Sequence, residues 1–134
     1  MSEDLWGEIS VEKEIKLPVT TLKEQATLLG EKTNKILEGS VTPIKYPDKD
    51  IVGFSLSIIA PALGNYRYKV LSISHKSIFV YPLTVSYRGE DGVATSYTCE
   101  DEGGFNDALK EILSSERVHK AIGALISQSK ATTA

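Results

Sequence analysis

Residues 51–99 read IVGFSLSIIAPALGNYRYKVLSISHKSIFVYPLTVSYRGEDGVATSYTC, and four segments of this stretch alternate apolar and polar residues. An alternation with a period of two is typical of a strand that buries one face. Gly, Pro, Asn and Asp separate the segments, and these are the residues that turns require. The predicted strands span residues 51–61, 66–74, 78–87 and 93–99.

Two positions predict irregularities in this sheet. In the second strand the apolar residues change sides, which predicts a bulge near Val70 or Leu71. In the third strand Pro82 has no N–H to donate. That strand is therefore expected to lie at an edge of the sheet or to be bulged at Pro82.

The flanks of residues 51–99 predict helices. Before residue 51, Thr21 and Glu24 form a capping-box pattern, and an apolar stripe typical of a helix follows them. Gly39 is expected to end this first helix. Residues 40–50 contain two prolines and are predicted to be a loop. After residue 99, two apolar stripes separated at Ser114 and Ser115 predict two helices that meet at an angle.

The order of elements predicts an α+β fold. We expect an antiparallel four- to five-stranded sheet with an N-terminal helix and two C-terminal helices, in two layers. A fifth strand would come from the N-terminal segment. The predicted division is an extended segment at residues 1–19, a single domain at 20–126 and a flexible polar tail at 127–134. Trp6, the only tryptophan, is expected to anchor the N-terminal segment against the core, with an exposed partner contact as the alternative.

Composition favours a non-catalytic protein of the cytoplasm. Cys99 is the only cysteine, and the 134 residues contain neither a signal-peptide pattern nor an apolar run long enough to cross a membrane. His75 and His119 lack partners at metal-ligand spacing. Acidic neighbours disfavour a Cys99 thiolate. We therefore predict no catalytic residue, no metal site and no cofactor.

The charges are distributed unevenly along the chain. Residues 51–89 carry four basic side chains and no acid, whereas the flanks carry eighteen acids and eleven basic residues. Strands generally contain few Asp and Glu residues, which explains part of this pattern. A positively charged face of the sheet is the alternative explanation.

Several residues that do not fit the predicted core suggest a binding surface. If one face of the sheet packs on the helices, an apolar and basic set falls on the other face, which antiparallel sheets normally expose to solvent. This pattern indicates a protein interface or a dimer seam, unless the last helix or the N-terminal segment covers it. The predicted partner-binding residues are Ile51, Ile59, Arg67, Lys69, Ile78 and Val80.

Three functions are compatible with the sequence. The size, acidity and order of elements are similar to those of small bacterial secretion chaperones and of immunity or antitoxin proteins, although no motif carries this similarity. We expect a protein partner, a basic one given the acidic flanks, with a homodimer as an alternative. A second hypothesis is single-stranded nucleic acid at Tyr66, Arg67, Tyr68 and Lys69. The strand period argues against it, because the tyrosines and the bases point to opposite faces. A third is a small-ligand or enzyme site between the sheet and the first helix.

Overall fold

The computed structural model describes residues 3–9, 15–89 and 91–133, and these residues form one five-stranded antiparallel sheet and three α-helices. The predicted α+β fold is confirmed. The helices are α1 (Pro18–Lys32), α2 (Glu102–Leu113) and α3 (Glu116–Thr133). The strands are β1 (Glu38–Ile44), β2 (Ile51–Ala60), β3 (Tyr66–Lys76), β4 (Leu83–Arg88) and β5 (Ala94–Cys99), and a 3-10 turn spans Pro61–Leu63.

The sheet is a meander in which each strand pairs with its neighbours in the chain, in the order β1-β2-β3-β4-β5. The predicted bulge is confirmed. The partner of Leu56 is Leu71, but the partner of Ser57 is Lys69, so Val70 is an additional residue in β3. Because of this extra residue, the consecutive residues Val70 and Leu71 are both buried. Beyond them the apolar residues of β3 continue to face the same side of the sheet as before the bulge.

Helix α1 begins and ends earlier than predicted. Its first residue is Pro18, whose fixed φ suits the first turn of a helix, and no side chain caps it. Thr21 is buried instead of forming a capping box. The helix ends at Lys32, because Asn34 and Lys35 have positive φ angles of 52° and 63°.

The fifth strand follows α1 and does not come from the N-terminal segment. Residues 40–44 of the predicted loop belong to β1, an edge strand in which Pro43 is tolerated. Residues 3–9 and 15–17 form neither helix nor strand, and residues 10–14 lie outside the described part of the chain. Trp6 is 83% exposed, so its predicted packing against the core is wrong.

The third predicted strand is shorter than the sequence indicated. Residues 77–82 form a loop, and β4 begins at Leu83, directly after a cis Tyr81–Pro82 bond. Since β4 lies between β3 and β5, its predicted position at the edge is wrong. Helix α3 continues through residues 127–133, where the sequence suggested a polar tail.

The three helices pack on one face of the sheet, which we call the helix face. Helix α1 contacts β1 and β2, α2 contacts β4 and β5, and α3 contacts β2 and the 3-10 turn. The core lies between the two layers and includes Leu22, Leu37, Leu56, Ile58, Leu71, Ile73, Leu83, Val85, Phe105 and Ile112. None of the helices in the described part of the chain is long and apolar enough to cross a membrane. The opposite side of the sheet is called the open face below.

Candidate functional site on the open face of the sheet

The open face carries rows of serine and threonine side chains that cross the strands. One row follows the strand pairing through Thr42, Ser55, Ser72, Ser86 and Ser96. The next row contains Ile44, Gly53, Ser74, Thr84 and Thr98. Some hydroxyls pair with each other, at 2.9 Å between Thr42 Oγ1 and Ser55 Oγ and at 3.1 Å between Ser86 Oγ and Ser96 Oγ. The surface is therefore largely polar, except at Gly53, which the ring of Tyr46 covers, and its hydroxyls are able to donate and accept hydrogen bonds.

This polar surface was not predicted, although the sequence contained the signal for it. Serine or threonine recurs at every second position in β2, β3, β4 and β5 on the side away from the core. The few apolar residues on this side of the strands gave the more conspicuous pattern. An alternation of hydroxyl residues with core residues in four adjacent strands indicates one continuous surface.

All four basic residues of segment 51–89 lie on the open face, as the register of the strands shows. Arg67 is opposite Ile59, Lys69 opposite Ser57, Lys76 opposite Ile51 and Arg88 opposite Ala94. Glu38, opposite Ile59, is the single acid in the five strands. Arg67, Lys69 and Lys76 form no ion pair with any described residue. The strands thus give the open face a positive charge, which agrees with the alternative explanation of the charge pattern.

The structure brings together some of the predicted partner-binding residues and separates others. Ile59, Arg67 and Lys69 lie side by side at one end of the open face. Ile51 lies at the other end, beside Lys76. Val80 is buried, with 7% exposure, so its predicted place on this surface is wrong. Side chains alternate between the two faces of the sheet only as far as Lys76, where β3 ends. Extending this alternation to Val80 therefore placed it on the wrong side.

Three exposed apolar residues lie at the end of the sheet where β2 begins and β3 ends, and we call them the apolar patch: Ile51 and Phe79, which line one cavity, and Ile78, which precedes Phe79 in the loop after β3. Ile78 is 80% exposed and Phe79 is 63% exposed. The loop that carries them is fixed to the start of β2, because the backbone N–H of Ser77 donates to the carbonyl oxygen of Asp50 at 2.8 Å.

A cavity of about 500 Å³ lies beside the apolar patch. Phe79 and Ile51 contribute apolar walls to it, and Lys76 contributes a basic one. Ser74 and Thr84, from the second hydroxyl row, also line it. The cavity thus joins the apolar patch to the hydroxyl rows.

The reactive side chains near this end are held in their neutral forms. Burial raises the pKa of the Tyr81 hydroxyl, and the carboxylate of Glu102 raises it further. Burial also raises the pKa of the Cys99 thiol, with smaller effects from Asp101 and Glu100. The acidic neighbours of Cys99 are visible in the sequence, but its burial, the larger cause of the raised pKa, is not. A neutral phenol and a neutral thiol are poor nucleophiles.

The histidines form no metal site with the residues around them. His75 Nδ1 lies 2.8 Å from the carbonyl oxygen of Lys76, and His119 is exposed on α3. Within residues 3–9, 15–89 and 91–133, no group of three or more His, Cys, Asp or Glu side chains is arranged to hold a metal ion.

The two tyrosines of β3 lie on the helix face, away from the neighbouring bases. Tyr68 is opposite Ile58, which is part of the core, whereas Arg67 is opposite Ile59 on the open face. Tyr66 and Tyr68 line a groove beside α3. Aromatic rings and basic groups of this strand therefore do not meet on one surface, as the strand period predicted.

No family model, no curated protein and no solved structure matches this chain.

Proposed function

We propose that this protein is a non-catalytic binding module that holds a partner protein on its open face. The observation that carries the proposal is the apolar patch of Ile51, Ile78 and Phe79 beside the hydroxyl rows. Two of these side chains are among the most exposed apolar groups of the described residues. Protein interfaces commonly combine a few such apolar anchors with a polar surrounding that hydrogen-bonds to the partner.

The charge of the open face favours an acidic surface on the partner. Lys76 lies beside the patch, and Arg67, Lys69 and Arg88 lie at the far end. Complementary charges steer partners together and suppress wrong pairings. A basic partner, predicted from the acidic flanks of the sequence, would have to bind elsewhere on the molecule. The positive charge of the open face therefore does not support the prediction of a basic partner.

A protein partner fits this surface better than single-stranded nucleic acid. A nucleic-acid platform uses several aromatic rings that stack on successive bases along a basic groove. On the open face Phe79 is exposed and the ring of Tyr46 covers Gly53, but small hydroxyl residues occupy most of the strand positions between them. These hydroxyls offer hydrogen bonds to the backbone and side chains of a protein partner.

We further propose a functional class and a cellular compartment for this protein. A small accessory protein of the immunity, antitoxin or secretion-chaperone kind would use such a surface without any catalytic group. The single cysteine, which is buried and unpaired, suits the reducing cytoplasm.

A double substitution in the patch tests the proposal. Ile78→Asp combined with Phe79→Asp places two acids in the loop, where both native side chains are exposed, so the fold should be retained. The matched control is Val93→Asp, since Val93 is 59% exposed and lies at the opposite end of β4 from the patch. Quantitative affinity capture from native lysate should yield a protein that the wild type and the control retain and that the double variant loses.

Two outcomes would contradict the proposal. In one, the double variant retains the same proteins as the wild type while circular dichroism shows an intact fold. In the other, a labelled single-stranded oligonucleotide binds the wild type in a salt-sensitive manner and the double variant does not. The second outcome would assign the open face to nucleic acid.

A further inference from the structure

A second, larger cavity lies on the helix face and is independent of the partner proposed above. It is a cleft of about 640 Å³ between α1 on one side and α2 with α3 on the other. Its floor is formed by Leu56, Ile58 and Val70 of the sheet. This volume falls within the range of small-molecule sites, about 300–1,000 Å³.

The cleft exists because the helices cover different parts of the sheet. Helix α1 lies close to β1, where a Cβ atom at Gly39 would be 2.4 Å from the Cα atom of Ala26. Helix α2 lies over β4 and β5, and the chain turns at Ser114 and Ser115 before α3 begins. The layer of helices is therefore divided over the middle of the sheet.

The walls of the cleft are largely apolar and only partly covered. Leu29 of α1, Leu113 of α2 and Ile122 of α3 line it and are half-buried. Leu28 also lines it and is exposed. An apolar chain that entered the cleft would remove these surfaces from water, which is favourable.

The ionisable groups around the cleft are mainly basic. Each helix contributes one basic side chain to the lining: Lys32 from α1, Lys110 from α2 and His119 from α3. The only acid in the lining, Glu24, is held by Lys16 at 2.6 Å. Lys32 and Lys110 have no ion-pair partner among the described residues. The cleft thus combines an apolar interior with unpaired positive charge, in a protein whose net charge is −3.

We propose that this cleft binds an amphipathic anion, a long alkyl chain with a carboxylate head group. The alkyl chain packs against Leu29, Leu113 and Ile122, and the carboxylate accepts hydrogen bonds from Lys32 and Lys110. A long lysine side chain extends along an apolar surface while its ammonium group remains at the water boundary, so these two residues suit a ligand of mixed character. A neutral or cationic amphiphile lacks the charged hydrogen bonds to Lys32 and Lys110.

The test measures binding of saturated fatty carboxylates of eight to sixteen carbons, each below its micelle-forming concentration, by isothermal titration calorimetry. Affinity should increase about fourfold for each added methylene group until the cleft is full, and then level off. Dodecanoate should bind more tightly than dodecanol, and dodecyltrimethylammonium should bind least. Affinities that do not depend on chain length, or that rank the cation with the anion, would overturn the proposal.

Two variants locate the site. In Lys32→Gln with Lys110→Gln the affinity for dodecanoate should fall roughly five- to tenfold, while that for dodecanol stays unchanged. The matched control is Lys35→Gln with Lys130→Gln, two exposed lysines outside the cleft, which should bind like the wild type. An equal loss in both pairs would mean that the carboxylate responds only to overall charge and would refute the site.

A cleft-filling substitution provides a separate measurement. Ile122→Trp places a larger side chain on the wall and should shorten the chain length at which affinity levels off. An unchanged optimum in a folded variant would contradict the assignment. If this variant fails to fold, the comparison of the two lysine pairs still decides the question.

Discussion

Tyr87 and Tyr97 show how one hydrogen bond changes the chemistry of a side chain. They are diagonal neighbours on β4 and β5, since Tyr87 is opposite Thr95 and Tyr97 is opposite Val85, and the Tyr87 hydroxyl donates to the Tyr97 oxygen at 2.9 Å. Their ring centroids are 5.5 Å apart. The hydrogen bond raises the pKa of Tyr87 to about 12, and burial adds to this effect. The neutral phenol is therefore favoured in the folded state.

This shift predicts a specific dependence of stability on pH. Tyrosine in an unfolded chain ionises near pH 10. Because the folded pKa is higher, the stabilisation by Tyr87 is complete below pH 10 and is lost as the pH rises through about 12. The difference in the free energy of unfolding between the wild type and Tyr87→Phe should therefore shrink between pH 10 and pH 12. Urea denaturation at several pH values measures this difference.

The control for this prediction is Tyr66→Phe, which changes an exposed tyrosine of β3. A Tyr87→Phe difference that stays constant from pH 9 to pH 12 would show that the hydrogen bond to Tyr97 does not hold the proton.

Ile78 and Val80 show where the alternation of residues along a strand no longer predicts which side chains are buried. They are two positions apart and would lie on one side of a strand, yet Ile78 is exposed and Val80 is buried. Hydrogen bonding to a neighbouring strand is what enforces alternation, and residues 77–82 have no such neighbour. By contrast, the sides of Ile59, Arg67 and Lys69 were predictable, because β2 and β3 pair throughout that region.

At the scale of elements, the contact of α1 with β1 depends on a single missing side chain. Gly39 lies directly beneath Ala26 of α1, and a Cβ atom at Gly39 would also be 2.6 Å from the Cβ atom of Ala26. Gly39 was expected to end the first helix, and this prediction is wrong, because Gly39 lies in β1. Its actual role is to let a helix approach a strand closely, a common use of glycine.

We predict that Gly39→Ala destabilises the fold by about 1–3 kcal/mol, the usual cost of overpacking, because α1 would have to move away from β1. The matched control is Gly123→Ala in α3, where a new Cβ atom meets nothing within 4 Å. That substitution should stabilise the protein by about 0.5–1 kcal/mol, since alanine favours a helix more than glycine does. Urea denaturation of both variants measures the two effects, and equal destabilisation would contradict the explanation.

The elements differ in how far the sequence determines them. Strands β2, β3 and β5 alternate clearly, and their bounds were predicted within a few residues. Strand β1 contains Gly39 and Pro43, so its local preference is for a loop. It becomes a strand because β2 pairs with it and α1 covers it. Neither contact is visible in a local sequence pattern, and the cleft, which depends on the placement of three helices, was equally hidden.

At the scale of the whole molecule, positive charge is concentrated on the open face. Arg67, Lys69, Lys76 and Arg88 lie there, whereas the net charge of the chain is −3. Among the described residues Glu38 is the one acid in a strand, and the three helices carry as many basic side chains as acids. Such a distribution orients the molecule as it approaches a charged partner, and the effect weakens as salt is added.

This charge distribution also bears on self-association. Two copies joined open face to open face would bring Arg67, Lys69 and Lys76 of one copy towards the same residues of the other, and like charges repel most strongly at low ionic strength. We therefore predict a monomer of 14.6 kDa in light scattering at low salt. Arg67→Glu with Lys69→Glu removes this repulsion, so association through the open face should appear at a lower protein concentration in that variant than in the wild type. A stable species of twice this mass at low salt would contradict the prediction. If Ile78→Asp with Phe79→Asp then restored the monomer, the apolar patch would be a dimer seam instead of the anchor for a different protein.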